Sequence, residues 1–512
     1  MNKNFFIPLI LSLFVLSSCM VKTETEPSLT GLKKIGKIIP KNSSEIKSSP
    51  FGIQAGTLVD SLVAKAAEIG VKWTRLGASW PGIESKKGIY DWAETDRAFD
   101  IALKNGITPF VCISGGNKLY SKLTTYDNPV EREIYGFKPE PPVKDPIAMK
   151  AYLGFVRELV SRYKDKIDYW EVWNEPNHRN YWGSEPNGKE YGKLVVETAL
   201  ILKELDPGCK IIAGATAKID TLFTDDFLSV GACKLIDIIS FHNYGPVPEE
   251  RAYLAVDLWK VINKYNPKLE VWQGECGYPS HSSTRDYRGR APWGLNIQAK
   301  WLLRQSFTDI FYCRATLSNY FKLAHTAGKG EKPVRSNLRA IDTIFGYPER
   351  GGSRVKTIGV NEKCLLTNPE LTEKPGFFAY QSLCALWKPD YKATPVKYSV
   401  KVMDQGVFYG IGDEDDAFPS IPLVATFKDG SGNWLLAWWL PWNMQEYLPK
   451  FARIEIKLKD VEMKDPVLVD LLTGEVFEFD SLSTNNGEIM LTNLPLADYP
   501  MIIMERGTVG FR

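Results

Sequence analysis

Histidine, unbalanced charge and paired cysteine are what this sequence has little of, and each shortage removes a class of function. Its 512 residues hold four histidines. His178, His242, His281 and His325 show neither the His-x-His nor the i, i+4 spacing of a metal site. The 63 basic residues nearly cancel the 61 acidic ones, leaving a formal charge of +2. That balance gives no electrostatic footprint for nucleic acid. Beyond Cys19, cysteines stand at 112, 209, 233, 276, 313, 364 and 384, an odd and scattered set. They form neither a disulfide framework nor a zinc motif and read as packed thiols. Phe51-Gly52-Ile53-Gln54-Ala55-Gly56 is no phosphate-binding turn, and no strand-end lysine except Lys322 invites Schiff-base chemistry. No metal and no cofactor is implied.

Aromatics are plentiful instead, at 12% with 15 Trp and 23 Tyr. Indole and phenol rings offer rigid area for stacking on the flat faces of sugars, beside their usual place in cores. At the N-terminus, Lys3 precedes an apolar run at 5–16 that is too short to span a bilayer as a mature helix. It ends in Leu16-Ser17-Ser18-Cys19, which resembles a bacterial lipoprotein signal with Cys19 as the lipidated residue. The expected product is exported and held at the outer or cell membrane by a lipid, periplasmic or at the cell surface. An ordinary secretory peptide is the alternative. Residues 20–48, polar and rich in Lys, Ser, Thr and Glu, read as a flexible tether.

The length asks for more than one core. Over 49–390, short apolar runs alternate with amphipathic stretches. Strands are expected near 51–54, 71–76, 107–113, 168–173, 210–214, 235–241, 269–273 and 314–321. Helices are expected near 58–70, 93–105, 146–164, 188–205, 249–265, 295–311 and 375–388. Eight such alternations predict an α/β chain built as a (β/α)8 TIM barrel, with a doubly wound open sheet as the competitor. Residues 327–372 read as an insertion that shapes one mouth of the barrel. Over 391–512 short runs separated by Asp-Gly, Thr-Gly and Asn-Gly turns predict an all-β sandwich.

Two expected strand ends carry the chemistry. Trp170-Glu171-Val172-Trp173-Asn174-Glu175-Pro176 supplies one carboxylate, and Val271-Trp272-Gln273-Gly274-Glu275-Cys276 the other. Glu175 and Glu275 stand three barrel units apart, so both project from the same rim. A carboxylate pair so displayed can cleave a glycosidic bond, one group attacking and one acting as acid and then base. Either glutamate alone would read equally well as a salt-bridged loop residue. Cys276, with no base assigned to it, reads as a packed thiol.

Trp173-Asn174-Glu175-Pro176 resembles the Asn-Glu-Pro motif of clan A glycoside hydrolases. The resemblance implies Glu175 as acid/base, Glu275 as nucleophile and net retention of configuration. Asn174 would hold the hydroxyl beside the reacting carbon. Ser240-Phe241-His242-Asn243-Tyr244 resembles the clan's sixth-strand segment, which implies that Tyr244 bonds the nucleophile and His242 lines the site. Arg75 matches the clan's second-strand arginine. Family 39 or an unassigned neighbour is nearest, because a barrel followed by a β-domain is shared. The departure is Ser318-Asn319-Tyr320-Phe321, where many members carry tryptophan; Tyr320 is the candidate replacement as sugar platform. Trp80, Trp182, Tyr278 and Trp293 are the other candidate platforms, with Trp173 and Trp272 as walls. The expected partner is a poly- or oligosaccharide. A non-catalytic glycan-binding lipoprotein is the alternative, although it would have no reason to keep both glutamates with their supporting residues.

Overall fold

The computed structural model describes residues 31–55, 59–124, 138–280, 293–324, 363–367, 371–408, 421–448, 450–485 and 487–512. Cys19 and its signal segment, His281, His325 and most of the 327–372 insertion lie outside the described residues. No helix among the described residues is long and apolar enough to cross a membrane.

The first described strand, β1 (Lys34–Lys37), corrects the tether. It pairs antiparallel with β16 (Glu475–Glu478) at the edge of the C-terminal sheet. Lysines that read as solvated chain meet carboxylates there, Lys34 with Glu475 and Lys33 with Glu478. Further on, Asn42 and Glu45 form a capping box around a single 3-10 turn. The buried Ser43 hydroxyl donates to the Val71 carbonyl, and Lys72 Nζ donates to the Ser43 and Gly106 carbonyls. The segment after residue 30 is thus pinned against both halves of the molecule.

Eight parallel strands close into a barrel. They are β2 (Phe51–Ile53), β3 (Trp73–Ser79), β4 (Thr108–Ser114), β5 (Tyr169–Val172), β6 (Lys210–Thr216), β7 (Ile238–Phe241), β8 (Glu270–Cys276) and β9 (Leu317–Tyr320). The helices between them start and stop where local chemistry directs. Asp145 accepts from the Ile147 and Ala148 amides ahead of helix Pro146–Tyr163, where Pro146 costs no hydrogen bond. That helix buries Tyr152, Phe155, Val156, Leu159, Val160 and Tyr163, a stripe at helical spacing. Asn187 caps helix Gly188–Leu205 in the same way.

Side chains two apart on a strand share a face, so the interior builds in layers. Phe110, Ile212, Ile238, Trp272 and Leu317, packed against Trp73 and Tyr169, form an apolar floor. Trp272 therefore belongs to the floor and is no cleft wall. Two residues further along the same strands stand Arg75, Cys112, Glu171, Gly214, Ser240, Gly274 and Asn319, a buried polar layer. The next step up reaches the rim.

The C-terminal region is two antiparallel sheets. One has the order β1-β16-β15-β19-β13-β12-β10, where β10 is Lys392–Ala393, β12 Leu423–Lys428, β13 Trp434–Trp439, β15 Pro466–Asp470 and β19 Met501–Glu505. The other runs β11-β14-β18-β17, with β11 Tyr398–Asp404, β14 Ala452–Lys459, β17 Leu482–Asn485 and β18 Glu488–Leu496. β14 alternates buried and more open positions as a half-covered strand should. β13 does not, because all six of its residues are buried. One face meets the second sheet, where the Trp438 indole donates to the Pro495 carbonyl. The other meets the barrel, where Trp439 packs on Phe307 and Tyr312 and donates to Glu249.

The same junction holds the buried Arg304–Glu249 pair at 2.7 Å and Lys300 with Asp498 at 3.0 Å. Glu446, from the β-region, caps barrel helix Leu295–Phe307 through the Asn296 amide, since Gly294 has no side chain to do so.

Candidate active site

At the barrel rim the chain leaves β5 through left-handed residues, Trp173 at φ 70° and Glu175 at φ 44°. Neither is a glycine, and such backbone in bulky residues persists where the surroundings enforce it. The Glu175 amide is tied to the Ala215 carbonyl at 3.0 Å, and Ala215 is itself at φ 43°. This turn, ahead of Pro176, aims Glu175 across the mouth.

Glu275, near the end of β8, accepts from three donor atoms, one in each of three side chains. Arg75 Nη1 reaches Oε2 at 2.9 Å, Gln54 Nε2 reaches Oε2 at 3.1 Å, and Tyr244 Oη reaches Oε1 at 2.8 Å. Burial opposes ionisation of Glu275. The Arg75 guanidinium and the nearby His242 ring, with the bonds from Tyr244 and Gln54, outweigh it and hold the carboxyl below its usual range. Arg75 is also bonded to Glu171 Oε2, by Nε at 2.6 Å, and to Asn174 Oδ1 at 3.0 Å. Burial works against its charge, but the carboxylates of Glu171 and Glu275 raise its proton affinity further, so it stays cationic. Glu175 is 8% exposed, and its Oε1 lies 3.2 Å from His242 Nδ1.

Glu175, Glu275 and His242 bring a ligand atom each within 4.8 Å of one another. The donor set suits a hydrolytic pair better than a cation. Glu275 already accepts from a guanidinium, an amide and a phenol, so a metal there would face Arg75 and find the lone pairs engaged. Cys276, fully buried, has its thiol pushed up by burial and packs as expected.

Beside the pair opens a cleft of about 500 Å³, lined by Gln54, Arg75, Trp173, Asn174, Tyr181 and Glu275 among others. That volume falls within the range of small-molecule sites. Arg75, Asn174, Glu175, His242, Tyr244 and Glu275 therefore meet as the sequence suggested. The aromatic platforms do not. Trp80 is wholly buried, stacked on Tyr120 and Phe155, with its indole donating to Glu84. Trp182 packs against Trp173 and Tyr191 in the core. Tyr278 and Trp293 stack on each other, buried, and Arg251 donates to the Tyr278 hydroxyl. Tyr320 is 1% exposed and turns its hydroxyl to backbone carbonyls. All five stand at or beyond strand ends, but each ring turns inward because a large apolar face gains most from burial.

Sequence reasoning missed three residues here. Tyr181, 51% exposed and on the cleft, is the neighbour of Trp182 on the opposite side of the turn Arg179–Trp182. Gln54 closes the segment already read as the first strand. Glu171 lies four residues before Glu175, on the inward face by strand alternation. His178 donates its amide to the Glu175 carbonyl and caps its local turn by accepting at Nδ1.

The chain matches the model of the glycosyl hydrolases family 39 over residues 79–258. It is 30% identical over 164 residues to a beta-xylosidase of Geobacillus stearothermophilus, covering 31% of each chain. It is 29% identical over 119 residues to a 6-phospho-beta-glucosidase of Clostridium longisporum, covering 22% of each. The chain thus spans less than a third of the length of the curated relatives it matches. Its fold aligns with a family 39 glycoside hydrolase from the gut symbiont Bacteroides cellulosilyticus WH2 at a TM-score of 0.59 and 17% identity. That alignment covers 89% of this chain and 81% of the other. The chain is similar to the clan A glycoside hydrolases, near family 39, and the resemblance carried by the Asn174-Glu175-Pro176 motif stands.

Proposed function

We propose that the chain is a retaining glycoside hydrolase acting on O-glycosidic bonds of poly- or oligosaccharides. The observation that carries this reading is the carboxylate pair, Glu175 and Glu275, with oxygens within 4.8 Å. Retaining enzymes place their carboxyl groups about 5–5.5 Å apart, whereas inverting ones need several ångströms more to admit a water. The asymmetry of the pair supports a division of roles. Glu275, kept ionised, attacks the anomeric carbon while the bond to the leaving oxygen breaks. Glu175 gives that oxygen its proton. Water then attacks the glycosyl-enzyme, Glu175 takes up the water's proton, and the bond to Glu275 breaks. Asn174, held by Arg75, lies where it can bond the adjacent sugar hydroxyl, and Tyr181 offers the exposed ring at the cleft.

The named activities of the two partial relatives make aryl β-xylosides and β-glucosides the first panel. NMR of the first-formed product should show the starting anomeric configuration. Glu275→Gln should lower kcat by about four orders of magnitude or more. Glu175→Ala should lose roughly 10²–10⁴-fold on poor leaving groups and far less on activated ones. Near wild-type hydrolysis by either variant sinks the proposal.

Export rests on the N-terminal sequence alone. Cys19 is read as the lipidated residue of a membrane-held protein, periplasmic or surface-exposed. Cys19→Ala should move the chain from the membrane to the soluble fraction of the producing cell, and unchanged fractionation would reject the anchor.

A further inference from the structure

Beneath the two glutamates, three buried polar atoms converge and have no hydrogen-bond partner: Glu171 Oε1, Ser240 Oγ and His242 Nε2. Glu171 and Ser240 are wholly buried, and His242 is 1% exposed. They meet beside Gly274. A β-carbon on Gly274 would lie 3.3 Å from His242 Nε2 and 3.5 Å from Glu171 Oε1, and would collide with Ser240 Oγ. Gly274 is not at positive φ, so its lack of a side chain answers to space and not to backbone conformation.

A buried polar atom left without a hydrogen bond is costly. Three of them drawn together beside one glycine is the setting in which proteins hold an ordered water. We propose that a buried water beside Gly274 links Glu171 to His242, so that Nε2 carries the ring proton and Nδ1 accepts the proton of Glu175. This rests on the acid role given to Glu175 above.

The hydrogen inventory closes. Glu171 Oε1 can only accept, so the water donates to it. The water oxygen accepts from His242 Nε2–H, and the Ser240 hydroxyl completes the shell from either side. Glu171 keeps its other oxygen on Arg75, so a single carboxylate steadies the cation beside the nucleophile and orients the histidine beside the acid. With the opposite tautomer, His242 would donate to Glu175 and favour its ionised form, which suits an acid poorly. Around this group face Arg75 from β3, Cys112 from β4, and Glu171, Glu175 and Tyr181 from β5 and its loop. Tyr244 comes from the segment after β7 and Glu275 and Cys276 from β8, with Arg251 and Asp309 behind Asn243. Ser240 and Glu171 are positioning residues; neither touches the sugar.

The test uses the full chain with its four histidines labelled with ¹⁵N. Imidazole spectra, with His242 assigned by its loss in His242→Gln, should show neutral His242 protonated on Nε2. Ser240→Ala, which removes one arm of the water site and leaves every charge in place, should turn this into a tautomer mixture. Gly274→Ala, which pushes the Ser240 hydroxyl aside, should do the same. In the pH profile of kcat/KM, both variants should bring the alkaline limb down by about one pH unit and leave the acid limb unmoved. Wild-type His242 protonated on Nδ1 overturns the proposal, as does an unmoved alkaline limb in Ser240→Ala. If the tautomer is as stated but no glycoside is cleaved, the water link stands and the glycosidase reading fails. If cleavage occurs with the other tautomer, the reverse holds.

Discussion

The interior of the barrel and the core of the β-sandwich solve the same problem with opposite materials. Above its apolar floor the barrel buries Arg75, Glu171, Ser240 and Asn319. The sandwich buries Leu435, Leu436, Ala437, Trp438, Ile502 and Ile503 in adjoining strands. Removing a charge from water is costly unless it is paired, and a pair gains little over well-packed apolar groups. The polar layer is therefore poor material for stability. What it supplies is a fixed field at the rim: Arg75 meets Glu171 on one side and Glu275 on the other. The sandwich and the junction around Trp439 hold the molecule together, while the barrel interior orients reacting groups.

The sharpest test of that division is Trp438→Ala. Trp438 is wholly buried and donates its indole N–H to Pro495. Its loss should lower the stability of the fold by about 3–5 kcal/mol. Catalytic activity per folded molecule, measured well below the unfolding transition, should stay within about twofold. A large loss of kcat with the fold intact would mean that the sandwich steers the site, and the comparison would break.

The two regions also differed in how much could be read from sequence. Barrel strands announce themselves because both faces are covered and the apolar runs are continuous, and the Glu175 and Glu275 motifs sit at their ends. The ring-bearing loops were illegible for a physical reason. Tyr181 and Trp182 are adjacent, yet one lines the cleft and the other is core, and that choice is made by the turn Arg179–Trp182 packing on Trp173 and Tyr191. Glu171 was legible in principle, since strand alternation puts it inward with Trp173, but a buried carboxylate is recognised only once its partner Arg75 is found 96 residues away. β1 was hidden because its pairing strand, β16, lies at the far end of the chain, and lysine-rich sequence carries no signal for a distant acidic edge. β13 reads as a run with no alternation because its second face is covered by a barrel helix, a contact that no local pattern encodes.

A smaller effect comes from two buried acids on either side of the junction. Glu249 is pushed up by burial, but Arg304 and the Trp439 indole more than offset this and hold its carboxyl below the usual range. Its contribution is present above the ordinary glutamate range and fades as pH falls through it. Asp470, on β15, has the opposite sign. Burial raises its carboxyl to about 6 from 3.8, against bonds from the Leu472 amide and from Thr473 and Tyr499. A carboxyl raised on folding gives its full stability below the unfolded value, near 3.8, and loses it as pH rises through about 6. Ionised Asp470 should therefore cost the native state about 2–3 kcal/mol above pH 7. Asp470→Asn keeps the acceptor oxygen and removes the charge. Relative to wild type, its melting temperature should rise between pH 4.5 and pH 8, whereas a Glu249→Gln variant should be penalised most at neutral pH and above. If the gap between Asp470→Asn and wild type is the same at both pH values, the sandwich carries no such titration. Asp470 would then be as well paired as the buried acids of the barrel.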